Sequence, residues 1–253
     1  MKRCRRDFLK LTGFSLLGLG VGSPAAGSGE SRGEPATGIR WAMVVDTRKC
    51  RRTAGCTACI EACHAAHNVP EIAESRHEVK WIWKEKYPAA FCNQVHPYTA
   101  ESIRNLRVPV LCNHCDRPPC VRVCPTQATF RTQDGIVGMD SHRCIGCRYC
   151  LAACPYGSRS FNWLDPRPHI PAIREDYPTR TKGVVEKCNF CQERLAKGKP
   201  PACVEASRTA GCRAISFGDL NDPESDVSSL LRTTNSIRRK PNLGTAPSVF
   251  YIV

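Results

Sequence analysis

Cysteine runs constrain this chain more than any other feature of its 253 residues, which include 18 cysteines. In the most regular run, two residues separate the first three cysteines and three precede the fourth: Cys144, Cys147, Cys150 and Cys154. Three thiolates spaced in this way reach three corners of one iron–sulfur cube, and the fourth ligates a neighbouring cluster. A zinc ribbon needs only two cysteine pairs, and a disulfide framework has no reason to crowd four cysteines together. The run therefore predicts a [4Fe–4S] site.

A second run lies upstream and has two additional residues before its third cysteine. Its members are Cys112, Cys115, Cys120 and Cys124, and proline follows. If each fourth cysteine crosses to the other run, one cluster is held by Cys112, Cys115, Cys120 and Cys154, and the other by Cys124, Cys144, Cys147 and Cys150. Between the runs, Asp134-Gly135 separates two short apolar segments, a pattern typical of a β-hairpin. These features predict a two-cluster ferredoxin module.

Two less regular runs flank this module. The first follows a strand-like segment at residues 41–45 and contains Cys50, Cys56, Cys59 and Cys63, and the last contains Cys188, Cys191 and Cys203. Where regular spacing would place a further cysteine in the last run, the chain has Ser207, and Cys212 comes five residues later. Setting aside the isolated Cys4 and Cys92 leaves sixteen cysteines, enough for four clusters with four ligands each.

The sequences around these cysteines form recognisable motifs. They include Cys-Asn-His-Cys-Asp-Arg-Pro-Pro-Cys (112–120), Cys-Pro-Tyr-Gly (154–157), Lys-Cys-Asn-Phe-Cys-Gln-Glu-Arg-Leu (187–195), Pro-Ala-Cys-Val-Glu-Ala (201–206) and Arg-Arg-Lys-Pro-Asn-Leu-Gly-Thr (238–245). Over residues 40–253 the chain thereby resembles the four-cluster ferredoxin-type electron-transfer subunits of membrane respiratory oxidoreductases, such as polysulfide, dimethyl sulfoxide and nitrite reductases. Within that family, the motifs at 40–46, 63–70 and 165–168 are most similar to those of a periplasmic subunit used in dissimilatory sulfur metabolism.

The resemblance implies nested pairing, in which the first and last runs share ligands as the middle two do. One cluster then takes Cys63, Cys188, Cys191 and Cys203. The other departs from the family pattern twice, because five residues separate Cys50 from Cys56 and Ser207 replaces a cysteine. We hypothesise that Cys212 replaces Ser207, so that this cluster takes Cys50, Cys56, Cys59 and Cys212. The alternatives are a three-iron cluster, a Ser207 ligand, or an empty site that leaves three clusters.

The first 26 residues predict an export signal. An arginine pair at 5–6 precedes Phe-Leu-Lys, an apolar stretch at 11–21 and small residues near Ala26. This arrangement resembles the twin-arginine signal, whose route carries proteins that have already folded and bound their cofactors. An uncleaved N-terminal anchor helix is the alternative. We therefore expect a periplasmic protein, exported by the twin-arginine route and associated with the membrane through its partners.

The predicted fold is α+β and ferredoxin-like, with two pseudo-symmetric two-cluster halves built from short hairpins and helices. The predicted segments are a signal peptide (1–26), a flexible lead-in (27–39), an outer half (40–66 and 182–220), an insertion (67–104), the central module (105–162), a connector (163–181) and a C-terminal tail (221–253). Within the insertion, Trp81 and Trp83 alternate with Ile82 in the manner of a strand.

Residues beside the clusters have simpler interpretations. Covalent haem is not predicted, because three residues rather than two separate the Cys-His pair at 63–64 from the preceding cysteine. His64, His67 and His114 are expected to form hydrogen bonds or to face solvent rather than to bind iron. Cys92 is expected to be a small buried residue.

The formal net charge of +14 would suggest nucleic acid as a partner. However, each oxidised cluster with four thiolates carries about −2. Much of the basic surplus therefore offsets cluster charge, and we expect no nucleic-acid partner.

These features predict one-electron transfer by [4Fe–4S] clusters, with four clusters expected, and no catalytic activity of the chain alone. The expected partners are a membrane-embedded quinone-reactive subunit and other redox subunits, for which a haem c protein is a candidate, in a complex of dissimilatory sulfur metabolism. Three alternatives are a subunit of a polysulfide-, nitrite- or molybdopterin-type reductase, a reductase with an open iron in the irregular cluster, and a zinc- or disulfide-stapled binding protein.

Overall fold

The computed structural model of the protein describes residues 38–52 and 55–253. The predicted signal peptide, Cys4 and residues 27–37 of the predicted lead-in lie outside the described residues. Within the described part of the chain, no helix is long and apolar enough to cross a membrane.

The described residues form short strands and helices. The strands are β1 (Trp41–Asp46), β2 (Ile82–Lys86), β3 (Arg107–Leu111), β4 (Thr129–Arg131), β5 (Val137–Met139), β6 (Ser160–Phe161), β7 (Val185–Glu186), β8 (Ile215–Asp219) and β9 (Val249–Ile252). The helices are α1 (Thr47–Arg52), α2 (Ala58–Ala66), α3 (Tyr87–Ala90), α4 (Glu101–Arg104), α5 (Pro119–Arg122), α6 (Tyr149–Ala153), α7 (Gln192–Leu195), α8 (Ala202–Thr209) and α9 (Asp226–Thr233). The mixed α and β content agrees with the predicted fold class.

Strand β1 is the centre of a three-stranded sheet in the order β8-β1-β9. It pairs with β8 in antiparallel orientation and with β9 in parallel orientation. Because successive side chains of a strand face opposite sides of the sheet, Met43 and Val45 pack in the main core while Ala42 and Val44 pack against α9. The predicted strand at residues 41–45 is confirmed. The segment predicted as a tail supplies β9 to this sheet and α9, which packs on one of its faces.

Three two-stranded antiparallel ladders complete the sheets: β2 with β3, β4 with β5, and β6 with β7. The turn between β4 and β5 contains Asp134 and Gly135, and Gly135 has φ +85°, a conformation that glycine adopts without strain. This is the hairpin predicted between the two regular cysteine runs. The predicted strand of the insertion is also confirmed, since Trp83 lies in β2, and Trp81, directly before it, is buried.

Four of the five helices that carry cysteines pack in two pairs, α2 against α8 and α5 against α6, while α1 packs against β9. Helices this short are not stable on their own in water. Their conformation therefore depends on packing and on the group that their cysteines bind.

Candidate iron–sulfur sites

The sixteen candidate cysteines lie in four separate groups. We name the groups site 1 (Cys50, Cys56, Cys59, Cys212), site 2 (Cys63, Cys188, Cys191, Cys203), site 3 (Cys112, Cys115, Cys120, Cys154) and site 4 (Cys124, Cys144, Cys147, Cys150). Three separate cavities are lined by the cysteines of sites 1, 3 and 4 respectively. In site 2 the four cysteines lie close together, since thiolates at Cys188, Cys203 and Cys191 each raise the pKa of Cys63. The grouping coincides with the expected ligand sets, including Cys212 in site 1.

Short helices link adjacent sites. Helix α2 places Cys59 in site 1 and Cys63, one turn later, in site 2. The i and i+4 positions share one face of a helix, so the two thiols leave α2 on the same side. Helix α6 does the same in the central module, where Cys150 belongs to site 4 and Cys154 follows the helix into site 3.

The four sites follow one another in the order 1, 2, 3, 4. Between successive sites, at least one cysteine lies close enough for its thiolate to raise the pKa of a thiol in the next site, that of Cys63, Cys188 or Cys150. The pairs are Cys59 with Cys63, Cys112 with Cys188, and Cys120 with Cys150. Each site thus neighbours the next, and sites 1 and 4 are the two ends.

The two end sites are more open to solvent than the two inner sites. All four cysteines of site 2 and three of the four in site 3 are buried, whereas three of the four in site 1 and three in site 4 are half-buried. Electrons can therefore enter or leave at the ends more readily than in the middle.

The donor chemistry of these sites fits an iron–sulfur cluster. Burial, with repulsion between neighbouring thiolates, raises the pKa of Cys50 to about 12, of Cys59 to about 11 and of Cys115 to about 12. The same causes raise the pKa of Cys63 and Cys203 well above the ordinary thiol value. Four converging thiolates are stable only around a cationic group, and iron–sulfur clusters are held by four cysteine thiolates. Binding would release the thiol protons.

In site 1, Ser207 and Cys212 have different roles in the structure. The Ser207 hydroxyl oxygen accepts hydrogen bonds from the backbone N–H groups of Ala214 at 2.8 Å and Ile215 at 3.3 Å. Its oxygen is therefore committed to closing the turn before β8. The Cys212 sulfur lies 3.3 Å from that hydroxyl, and both residues line the site 1 cavity, but only Cys212 presents a thiol there. This geometry favours Cys212 over Ser207 as the fourth ligand.

Two of the three flanking histidines are fully buried. His67 lies with Nδ1 2.7 Å from the Cys63 carbonyl oxygen and Nε2 3.0 Å from a Glu193 carboxylate oxygen, and it stacks on Trp81. Burial alone lowers the pKa of His67, but hydrogen bonds to Cys191 and Glu193 outweigh it and raise the pKa to about 9. His67, Cys191 and Glu193 present donor atoms within 4.8 Å of one another. Because Cys191 belongs to site 2, His67 supports that site.

His114 lies between two cysteines of site 3 in the chain. Its ring stacks on Phe190 with centroids 3.6 Å apart, and its Nδ1 accepts a hydrogen bond from the Val137 N–H. The hydrogen-bonding prediction is thus confirmed for His67 and His114, while the alternative of solvent exposure is wrong for both.

The prediction for Cys92 is wrong, because this residue is exposed. It begins a short 3₁₀ turn directly after Phe91, and the larger Phe91 side chain takes the core position with 1% of its surface exposed. Sequence reasoning also missed Lys187 and Arg159, two buried cations next to the sites. The position of Lys187 directly before Cys188 was the only signal in the sequence.

Comparison with known proteins bears on the same residues. Residues 103–167 match the 4Fe-4S dicluster domain family, and this segment contains all eight cysteines of sites 3 and 4. The chain is 41% identical to the Hdr-like menaquinol oxidoreductase iron-sulfur subunit 1 of Archaeoglobus fulgidus over 98% of this chain and 97% of that one.

Two further relatives cover most of the chain. It is 38% identical to the iron-sulfur cluster-binding component of the menaquinone reductase of Nitratidesulfovibrio vulgaris, over 85% of this chain and 89% of the relative. It is 35% identical to a subunit of the tetrathionate reductase of Salmonella typhimurium, over 100% of this chain and 89% of the relative. The matches to the Archaeoglobus and Salmonella relatives cover 98% and 100% of the chain, so they include both outer runs as well as the central module.

Proposed function

We propose a function for this chain, which belongs to the family of iron–sulfur electron-transfer subunits of quinol oxidoreductase and reductase complexes. Its cofactors are [4Fe–4S] clusters, and we infer four of them, held by sites 1 to 4. Such clusters supply reversible one-electron transfer. The proposed function is to relay single electrons from one end of the series of sites to the other.

The linear order of the sites is the observation that carries this proposal. Cysteine pairs connect sites 1 and 2, 2 and 3, and 3 and 4, and the half-buried cysteines are concentrated at the two ends. An enzyme that converts a substrate at one site has no need for such a series. A relay does, because an electron has to cross the protein in short steps between two partners.

We further propose that one partner is a membrane-embedded quinone-reactive subunit and the other a second redox subunit, with a haem c protein as a candidate. The names of two relatives support the quinone side, and the tetrathionate reductase relative supports a sulfur compound on the other. Together with the motifs at 40–46, 63–70 and 165–168, this favours a role like that of DsrO, in dissimilatory sulfur metabolism. The sequence of residues 1–26 supports a periplasmic location reached by the twin-arginine route.

A self-contained reductase with an open iron in the irregular site is the second candidate function. It would require site 1 to lack a fourth thiol, as the serine at position 207 suggests. Because Cys212 lines the same cavity as Cys50, Cys56 and Cys59, site 1 offers four thiols without an open position. No observation in the described residues favours this candidate.

Iron and acid-labile sulfide content per chain, with paramagnetic resonance during a redox titration, tests the proposal on anaerobically purified protein. Four clusters predict about sixteen irons per chain. About fifteen irons would indicate a three-iron site 1, and about twelve would indicate that site 1 is empty. A colourless, iron-free preparation would overturn the proposed function.

The ligand assignment of site 1 is tested by a matched pair of variants. Cys212→Ala should alter one cluster signal and leave three unchanged, whereas Ser207→Ala should retain four clusters, because only the cysteine is assigned as a ligand. Four unchanged signals in Cys212→Ala would show that the assignment of Cys212 is wrong.

A further inference from the structure

Three buried cations lie near the inner sites without a carboxylate partner. Lys187 is 2% exposed, Arg239 4% and Arg159 6%. Moving a charge out of water is strongly unfavourable unless a partner of opposite charge lies near. None of the three forms an ion pair with a carboxylate among the described residues. Arg180 shows the usual arrangement, since its buried guanidinium lies 2.5 Å from the Glu186 carboxylate.

Lys187 lies between sites 2 and 3. Its ammonium group donates hydrogen bonds to two backbone carbonyl oxygens, those of Cys188 at 2.6 Å and of Val137. Cys188 is a member of site 2, and Val137 lines the site 3 cavity. Carbonyl dipoles solvate the ammonium group but leave its net charge unbalanced.

Arg159 lies between sites 3 and 4. It lines the site 3 cavity and donates a hydrogen bond from Nη1 to the Thr129 hydroxyl at 3.0 Å, while its Nη2 has no partner in the described part of the chain. Burial lowers the pKa of Arg159, but the thiolates of Cys120, Cys150 and Cys112 outweigh burial and raise it. Two of these three cysteines belong to site 3.

Arg239 lies near site 3, behind Tyr156. Its guanidinium carbon lies 5.5 Å from the ring centroid of Tyr156, which lines the site 3 cavity, and its Nε donates to the Ala90 carbonyl at 3.3 Å. Its Nη1 has no hydrogen-bond partner in the structure as described. All three unbalanced cations therefore adjoin site 3, whereas sites 2 and 4 each adjoin one.

We propose that Lys187, Arg159 and Arg239 make site 3 the most easily reduced of the four sites, the one with the highest midpoint potential. A fixed positive charge favours the state that holds one more electron, and the effect is larger where water is excluded. The cations that line the cavities of the two end sites, Lys84 at site 1 and Arg148 at site 4, are half-buried and exposed respectively, so solvent screens them. Reduction of site 3 transfers one electron from a neighbouring site, and no bond or proton changes place.

This inference rests on the proposed relay and identifies site 3 as the site within it where a transferred electron is most stable. An electron at site 3 lies behind cysteines that are mostly buried, away from the two more exposed ends. The three side chains are positioning residues, because they act through the field that they exert on the site and not as ligands.

Potentiometric titrations of the anaerobic holoprotein, followed by paramagnetic resonance, test the proposal with Lys187→Met and Arg159→Met. Each variant should lower the highest wild-type midpoint by at least a tenfold change in the redox equilibrium, which is about 59 mV for one electron. Lys187→Met should also lower a second signal, from site 2, and Arg159→Met a different second signal, from site 4. Only site 3 adjoins both residues, so the signal that moves in both variants identifies it.

Three controls complete the experiment. Lys182→Met removes an exposed cation from the segment before β7 and should leave all midpoints unchanged. Lys187→Arg keeps the charge and should keep the midpoints. If a Met variant loses its clusters, Arg239→Met decides, because it should lower the highest midpoint alone.

The proposal is overturned if the highest midpoint is unchanged in the variants that retain their clusters, or if Lys187→Met and Arg159→Met lower no signal in common. A failure of the proposed function would look different, since the wild-type protein would then show no series of reducible clusters.

Discussion

The central module and the outer half hold equal numbers of cysteines but assemble them differently. In the central module, the cysteines of sites 3 and 4 all lie between residues 112 and 154, with regular spacing and one hairpin between the runs. In the outer half, site 1 joins Cys50 to Cys212 across most of the chain. Closing a longer loop costs more conformational entropy, so the outer half depends more on the rest of the fold.

Strand pairing provides the closure that the outer half needs. The end of β1 pairs with the start of β8, with Val45 opposite Ile215, and the Asp46 N–H donates to the Ala214 carbonyl at 2.7 Å. Cys50 follows β1 and Cys212 precedes β8. An antiparallel ladder thus brings two distant segments together, whereas local spacing does this in the central module.

Removal of the iron should give the largest difference in stability between the two halves. After anaerobic chelation of the iron, we expect the chain to lose its cooperative thermal transition, because buried thiols and unpaired buried cations lose their compensating partner. Peptide-resolved hydrogen exchange should show β1 and β8 opening before the β4–β5 hairpin, since their contact closes the longer loop. Earlier exchange of the hairpin would contradict the comparison. Reconstitution with iron and sulfide serves as the control.

Glu186→Gln should have the next largest effect, where the two halves meet. Glu186 in β7 accepts hydrogen bonds from Trp81 at 3.0 Å and Asn162 at 2.5 Å, and it pairs with the buried Arg180. Removing its charge leaves that guanidinium uncompensated, which should cost about 3–5 kcal/mol of unfolding free energy. Anaerobic chemical denaturation of the holoprotein measures this cost.

The matched control for Glu186→Gln is Asp165→Asn, which breaks an ion pair with Arg167 on the surface. Because water screens exposed pairs, this variant should leave the denaturation midpoint nearly unchanged. Equal effects of the two substitutions would argue against Glu186 as a junction between the halves.

Gly146→Ala should have a smaller effect, at a contact between site 4 and the segment leading into β7. Gly146 has φ +69°, and an added Cβ would overlap the carbonyl oxygen of Gly183. The strain of the left-handed backbone conformation and the overpacking together should lower the free energy of unfolding by about 3 kcal/mol. Gly157→Ala is the control, because Gly157 has φ +63° with open space around it, and strain alone should cost about 1 kcal/mol. Equal costs in denaturation would show that the Gly146 contact adds nothing.

The parts of the fold that sequence analysis anticipated are those with short-range causes. The β4–β5 hairpin follows from Asp134-Gly135, and β1 follows from the apolar residues after Trp41. The local sequence was a poorer guide to the burial of Cys92 and His67, because burial depends on which neighbouring side chain fills the core. Phe91 takes the core position beside Cys92, and His67 is buried in a stack with Trp81.

The sequence by itself determined the cofactor class and the membership of sites 3 and 4, because thiolate spacing over a few residues limits which cluster can bind. Only the tertiary structure decided that Cys212 lies with Cys50, that the sites form one series, and that Lys187 and Arg159 converge on site 3. The physical reason is that burial and electrostatic fields depend on distances through space. In this protein, β1–β8 pairing and the packing of β7 fix those distances between residues that are far apart in the chain.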